Sequence, residues 1–232
     1  MGHYFDEQPD APSMPRDVDL WLPDMSLTLT TDRGVFGYDQ IDAGSKLLLL
    51  KAPVPPPTGN LLDLGCGVGT IALPMARRAP DATVWAVDVN SRARELCAGN
   101  ATANGISNVR VAAPDDVPAD VSFDCIWSNP PIRIGKPALH DMLLVWLARL
   151  APTGSATMVV HKHLGADSLQ RWVTDQGYPT TRLASSSGYR FELVRVDKCF
   201  DFSLNVPWHV ITSNLVVSDL TTILALARHF FV

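Results

Sequence analysis

The chain has no stretch of about 18 uncharged apolar residues, so no membrane-spanning helix is expected. Its most apolar part, the C-terminal end, is broken by Asp219, Arg228 and several Ser, Thr and Asn residues. Cysteine is scarce: Cys66, Cys97, Cys125 and Cys199 lie far apart and form no CxxC pair. A disulfide framework or a zinc site is therefore not expected, and the chain reads as a reduced cytoplasmic protein. The opening MGHYFDEQPDAPSMPRD is acidic and proline-rich and lacks the basic start and apolar middle of a signal peptide. Glycine shows no period of three, which excludes a collagen-like repeat. Charged residues make up 19% against 47% hydrophobic, too apolar a balance for an intrinsically disordered chain. At 232 residues one domain can bury a core without staples.

The net charge of −5 speaks against a nucleic-acid binder until its distribution is read. Residues 1–129 carry a net −8, residues 130–198 a net +4 and residues 199–232 a net −1. The basic part is either a solvated helix face or a phosphate-tracking surface beside an active-site loop.

Residues 1–25 read as an irregular leader, and 26–38, SLTLTTDRGVFGY, as a short strand or hairpin. Asp42 or Ser45 caps a short helix carrying Leu47 to Leu50, and PVPPPTG then breaks regular structure. From residue 60 strands and helices alternate. NLLDLG, ATVWAVDV, NVRVAA, FDCIWSN and GSATMVVHK read as five strands, and TTRLAS and YRFELVRV as two more that close the sheet. Pro74 falls near the start of its helix, where it is tolerated, and Gly105 and Gly177 stop two others. The expected fold is α/β: a seven-stranded, mostly parallel, Rossmann-like sheet with helices on both faces. Three regions are expected: an N-terminal segment 1–58, a core domain 59–197 and a C-terminal extension 198–232 of unknown role.

In such sheets ligands bind at the carboxyl ends of the strands. The first strand ends in Asp63-Leu64-Gly65-Cys66-Gly67-Val68-Gly69-Thr70. A dinucleotide fingerprint places its third glycine or alanine at position 70, which is Thr70 here. Asp63 would repel a pyrophosphate but suits an ammonium. S-adenosylmethionine carries an ammonium and a sulfonium and no phosphate, so the spacing favours that cofactor over NAD. Asp88, 19 residues after Gly69 and followed by Val89, stands where an acid binds ribose hydroxyls. Asp115 and Asp116 follow the third strand, where one carboxylate would accept from an adenine amino group.

The fourth strand ends in Asn129-Pro130-Pro131-Ile132. Two prolines stiffen the corner, and the Asn129 side-chain oxygen and the Pro130 carbonyl offer two acceptors at one spot. Two acceptors suit an exocyclic –NH2, whose lone pair is then freed to attack a methyl carbon by alignment and electrostatics alone. Arg133 and Lys136 follow and can meet RNA phosphates or simply be solvated. His161 and His163 lack a third partner for a metal, and Trp127 and Trp146 read as core.

Taken in order, TDRGVFGYDQIDAGSKLLL, LLDLGCGVGTIAL, NSRARELCAGNATANG, SNPPIRIGK and SGYRFELVRV resemble the "methyltransferase small" domain family of class I S-adenosylmethionine-dependent methyltransferases, from about Leu27 to Val196. Its best-known members methylate guanine N2 in small-subunit ribosomal RNA. The resemblance implies that Phe36 to Ser45 cover the cofactor and that Asp63, Gly65, Cys66, Gly67 and Gly69 hold its amino-acid end. It further implies that Asp88 and Val89 hold the ribose, that Asp115 lies by the adenine and that Asn129 to Ile132 hold the target amine, with Asn129 also meeting the cofactor. Ile132 stands where many N-methyltransferases carry Tyr or Phe, and gives only apolar contact. No internal repeat matches the duplicated front domain of some members. Ribosomal RNA is thus the expected partner, with a protein glutamine amide or a small amine as rival substrates. A non-catalytic S-adenosylmethionine-binding module is the rival of another class.

Overall fold

A computed structural model describes residues 11–161, 165–186 and 191–197. The chain divides into two units, Met1–Lys198 and Cys199–Val232. The extension expected over 198–232, with Lys162 and His163, lies outside the described residues.

An antiparallel hairpin comes first: β1 (Arg16–Trp21) pairs with β2 (Ser26–Thr31). The expected irregular leader therefore contains a strand. Asp17 and Asp19 hid it, because each spends its carboxylate on a cross-strand threonine, Asp17 on Thr30 and Asp19 on Thr28. The alternate face, with Leu20, Leu27 and Leu29, is buried.

Helix α1 (Ala43–Lys51) follows, capped by Asp42, whose side chain accepts from the Ser45 N–H. Then come β3 (Thr58–Leu64), α2 (Ala72–Arg78), β4 (Asp81–Val87), α3 (Ser91–Ala103) and β5 (Val109–Ala112). The second half is β6 (Phe123–Ser128), α4 (Lys136–Leu147), β7 (Leu150–His161), α5 (Ala166–Asp175), β8 (Thr180–Ser186) and β9 (Phe191–Asp197). The main sheet has seven strands in the order β5-β4-β3-β6-β7-β9-β8, with β9 antiparallel to both neighbours and the other pairs parallel.

Alternation along the strands sends side chains to two cores. Leu61, Val84, Ala86, Cys125 and Trp127 pack with α1, α2 and α3 on one face. Leu62, Leu64, Trp85, Val87 and Ile126 pack with α4 and α5 on the other. Strand order reverses between β3 and β6, which is where a crevice opens in a doubly wound sheet.

Asn100 of α3 ties the hairpin to this frame. Its amide accepts from Thr30 N–H and donates to Thr30 C=O, as a neighbouring strand would, and also donates to the carbonyl of Val68 in the glycine loop. The segment after the hairpin is anchored by Asn90 and Arg92, which donate to the carbonyls of Gly34 and Arg33.

Candidate active site

The ends of β3, β4 and β6 open onto one cleft of about 660 Å³. The ends of β3 and β4 and the turn after β5 supply Gly65, Gly67, Val87, Asp88, Val89 and Pro114 to its lining. The end of β6 supplies Asn129, Pro130, Pro131, Ile132 and Arg133, and Asp141, Met142, Val145 and Trp146 of α4 and His161 add to it. Val35, Phe36 and Asp42 of the N-terminal segment complete it. Sequence reasoning missed the α4 wall. Its register is ordinary for an amphipathic helix, and only the fold turns Met142 and Val145 toward the cleft.

Gly65 has φ +80°, and no atom lies within 4 Å of where a Cβ would stand, so its backbone is open to a ligand. Gly67 has φ +53°, and its N–H donates to Asp88 Oδ2 at 2.8 Å. Asp88 Oδ1 accepts from Asn90 N–H at 2.9 Å. Each Asp88 oxygen thus carries one backbone bond and keeps further acceptor capacity toward the cleft. Burial pushes its carboxyl above the ordinary range, against the pull of those N–H groups.

Four of the expected cofactor residues, Asp63, Cys66, Gly69 and Asp115, lie outside this lining. Asp63 does not line the cleft. It is fully buried on the Trp127 face of the sheet, and its Oδ2 accepts from Ala72 N–H at 2.8 Å, capping α2 across the glycine loop. Its Oδ1 has no hydrogen-bond partner. Gly69 turns inward: a Cβ there would meet Leu73 Cδ1 at 2.2 Å and Cys97 Sγ at 3.0 Å, so this glycine serves the packing of α2 against α3. Cys66 is buried with them, its Sγ toward the Gly67 carbonyl at 3.6 Å. Asp115 and Asp116 are exposed on a 3-10 turn beside Pro114, which lines the cleft in their place. Lys136 is exposed at the start of α4, outside the lining, whereas the exposed Arg133 lies within it. Trp127 and Trp146 are both buried, and Trp146 also reaches the cleft wall.

Two tests arise from these placements. Gly69→Ala should cost about 1–3 kcal/mol of stability in chemical denaturation, from overpacking and a φ of +92° that alanine resists. The folded fraction should keep its ligand affinity; a selective loss of affinity would return Gly69 to the cleft.

The second concerns Asp63. Burial, with the nearby Asp88 charge adding and the Ala72 N–H opposing, pushes its carboxyl up to about 8 from 3.8. Between those values the folded protein holds a proton that the unfolded chain has lost. The contribution to stability is therefore complete below pH 3.8 and is lost as pH rises through about 8. Asp63→Asn removes this titration and keeps an acceptor for Ala72. Its melting temperature relative to wild type should climb between about pH 5 and about pH 8.5, and a constant gap would show that Asp63 is ionised throughout.

At the acceptor corner Asn129 is half-buried and Pro130 buried. Pro131 has φ −75° and ψ 72°, and the Ile132 N–H donates to the Pro130 carbonyl at 2.8 Å, a tight inverse γ-turn. One lone pair of that carbonyl is therefore already used, so Pro130 is a weaker second acceptor than the sequence suggested. The Asn129 Nδ2 donates to Asp42 Oδ2 at 2.8 Å and to Ser45 Oγ at 3.1 Å. Ile132 is partly buried against the α4 core. Among the described residues no three His, Cys, Asp or Glu side chains converge as a metal site, and no helix is long and apolar enough to cross a membrane.

A family model described as "Methyltransferase small domain" matches residues 26–190. The Bacillus subtilis (strain 168) protein YbxB, described as uncharacterized, is 37% identical over 169 residues, covering 72% of this chain and 84% of its own. Ribosomal RNA small subunit methyltransferase C of Aeromonas hydrophila is 34% identical, covering 66% of this chain and 47% of its own. That of Pseudomonas aeruginosa (strain LESB58) is 30% identical, covering 81% and 57%. The chain thus spans most of the Bacillus relative but about half the length of the named methyltransferases. Among solved structures, the T. thermophilus 16S rRNA N2 methyltransferase RsmC, in complex with AdoMet and guanosine, aligns with a TM-score of 0.66 at 22% identity, over 82% of this chain and 52% of that one. A Pyrococcus furiosus methyltransferase aligns with a TM-score of 0.56 at 22% identity, over 67% and 82%. Both share the fold.

Proposed function

The chain belongs to the methyltransferase small domain family, and from that premise we propose that it transfers a methyl group from S-adenosylmethionine to an exocyclic amine, the N2 of a guanine in small-subunit ribosomal RNA. The observation that carries this reading is the juxtaposition in one cleft of an open glycine loop backed by Asp88 and a rigid Asn129-Pro130 corner.

The residues present fit the cofactor. Gly65 offers uncovered backbone to the amino-acid end of the cofactor, and the Asp88 carboxyl beside the loop disfavours a pyrophosphate. Asp88 would hold the ribose, Pro114 and Val89 would flank the adenine, and Phe36 would cover it from the N-terminal segment 1–58. When bound, S-adenosylmethionine supplies a sulfonium-borne methyl that an amine lone pair takes, releasing S-adenosylhomocysteine and one proton.

Asn129 accepts one amine hydrogen and the remaining lone pair of Pro130 the other, drawing the nitrogen toward tetrahedral geometry. Met142, Val145 and Ile132 give a flat ring apolar walls, and Arg133 stands at the rim for a phosphate. A base within a helix would be flipped into this space at a cost of roughly a few kcal/mol.

RsmC was solved in complex with guanosine as well as AdoMet, and the relatives from Aeromonas and Pseudomonas are named for ribosomal RNA; both support a nucleobase over a protein amide. Tritiated S-adenosylmethionine in an extract from a deletion strain tests the substrate. Label is expected in small-subunit RNA, and mass spectrometry of RNA from that strain should show one guanine lacking N2 methylation. Label appearing only in protein would transfer the reading to a glutamine amide. No S-adenosylhomocysteine with any acceptor would leave a binding module.

A further inference from the structure

The Asn129 amide is gripped by the start of α1, at the edge of the cleft that Asp42 also lines. Its Nδ2 donates to Asp42 Oδ2 at 2.8 Å and to Ser45 Oγ at 3.1 Å. The same Asp42 Oδ2 accepts from the Ser45 N–H at 2.9 Å and from Ser45 Oγ at 3.4 Å. Asparagine amides are nearly symmetric in shape, so their orientation is set by what faces them. Asp42 Oδ2 already accepts from the Ser45 N–H and so faces Asn129 as an acceptor. The group turned toward Asp42 must therefore be the NH2, and the carbonyl oxygen is left for the cleft that Asn129 lines.

We infer that Asp42 is a positioning residue for methyl transfer: it locks the Asn129 amide with its oxygen, not its nitrogen, toward the incoming amine. The inference rests on the amine-transfer reading above. A flipped amide would set two N–H donors against the amine's own hydrogens, replacing an attraction by a repulsion at the atom that must attack. Two further effects run the same way. An N–H bonded to a carboxylate polarises its amide and makes the oxygen a better acceptor. Positive charge moves onto the acceptor nitrogen as the reaction proceeds, and a fixed carboxylate beside Asn129 favours that movement. Asp42 also caps α1, so the segment that covers the cleft and the corner that holds the amine share one carboxylate.

The experiment is a double-mutant cycle with a spectroscopic arm, on the full chain. With ribosomal RNA from the deletion strain as acceptor, Asp42→Ala should lower kcat by about 10–100-fold while the KM for S-adenosylmethionine stays within about threefold. Asp42→Asn, which can still offer an oxygen to Asn129, should recover part of the loss. In an Asn129→Ala background Asp42→Ala should cost less than about twofold further, because its partner is already gone. Losses that multiply would mean that Asp42 touches substrate itself, and the inference would fall. A loss of the α1 cap alone would lower the melting temperature and leave kcat in place. The second arm needs no substrate. In 15N spectra the Asn129 side-chain NH2 pair, assigned by its absence in Asn129→Ala, should exchange slowly with water and shift on Asp42→Ala while backbone signals of β3 to β7 stay. A pair exchanging like free asparagine in the wild type overturns the inference even if methyl transfer is found. Wild-type protein that methylates no RNA, with the NH2 pair protected, overturns the RNA substrate instead.

Discussion

Asn129→Ala protein is expected to bind S-adenosylmethionine within about twofold of wild type and to lose methyl transfer by about 10²–10³-fold, the range typical of removing one preorganised polar contact to a transition state. The backbone of the corner should survive the change, because Pro130 is fixed by its ring and Pro131 by the γ-turn from Ile132 N–H to Pro130 C=O. Ground-state binding of the cofactor should survive too, because Asn129 adjoins Gly65 and Gly67 but spends its own hydrogen bonds on Asp42 and Ser45, and none of them holds Asp88 or the glycine loop in place. What goes is one of two acceptors, and the one that remains already shares its oxygen with Ile132. Calorimetry reads the affinity and release of S-adenosylhomocysteine reads the rate. Turnover unchanged from wild type would remove the two-acceptor mechanism. A parallel fall in cofactor affinity would place Asn129 on the donor side of the cleft instead.

The sheet was legible in the sequence because each strand is a short apolar run closed by a junction residue of special chemistry. Asp63-Leu64-Gly65, Val87-Asp88 and Ser128-Asn129 all mark strand ends, and the fold brings all three ends to one crevice. Hairpin strand β1 was not legible, since Asp17 and Asp19 look like solvated loop residues until Thr28 and Thr30 stand opposite them. The two roles of the glycine loop could not be divided from spacing either. Gly65 and Gly69 look alike as letters, and only the position of Leu73 and Cys97 makes one a floor and the other a packing contact. For Asp63 the pattern put the carboxyl at the ligand, whereas the fold buries it and gives it the start of α2. The helix it caps begins only at Ala72, and the turns between Gly65 and Ala72 set the carboxyl beneath the loop. The link from Asp42 to Asn129 spans 87 residues, and no local signal carries it.

The complementary variant separates the other half of the cleft. Asp88→Ala should weaken S-adenosylmethionine binding by about 10–100-fold, the worth of one or two hydrogen bonds to a charged group. Two losses add. The carboxylate no longer offers acceptors toward a ribose, and the N–H groups of Gly67 and Asn90 lose the partner that holds the glycine loop against the start of α3. Stability should fall by less than those lost bonds suggest, because burial already disfavours the Asp88 charge. At saturating cofactor, kcat should return to within a few-fold of wild type, since nothing in the acceptor corner depends on Asp88. Asn129→Ala and Asp88→Ala are thus expected to fail in opposite ways, one in rate at full occupancy and the other in occupancy at full rate. Titration calorimetry together with rates measured across cofactor concentration distinguishes them. If Asp88→Ala instead lowers kcat with its affinity intact, Asp88 faces the reacting atoms, and the cleft is occupied in the reverse sense to the one proposed.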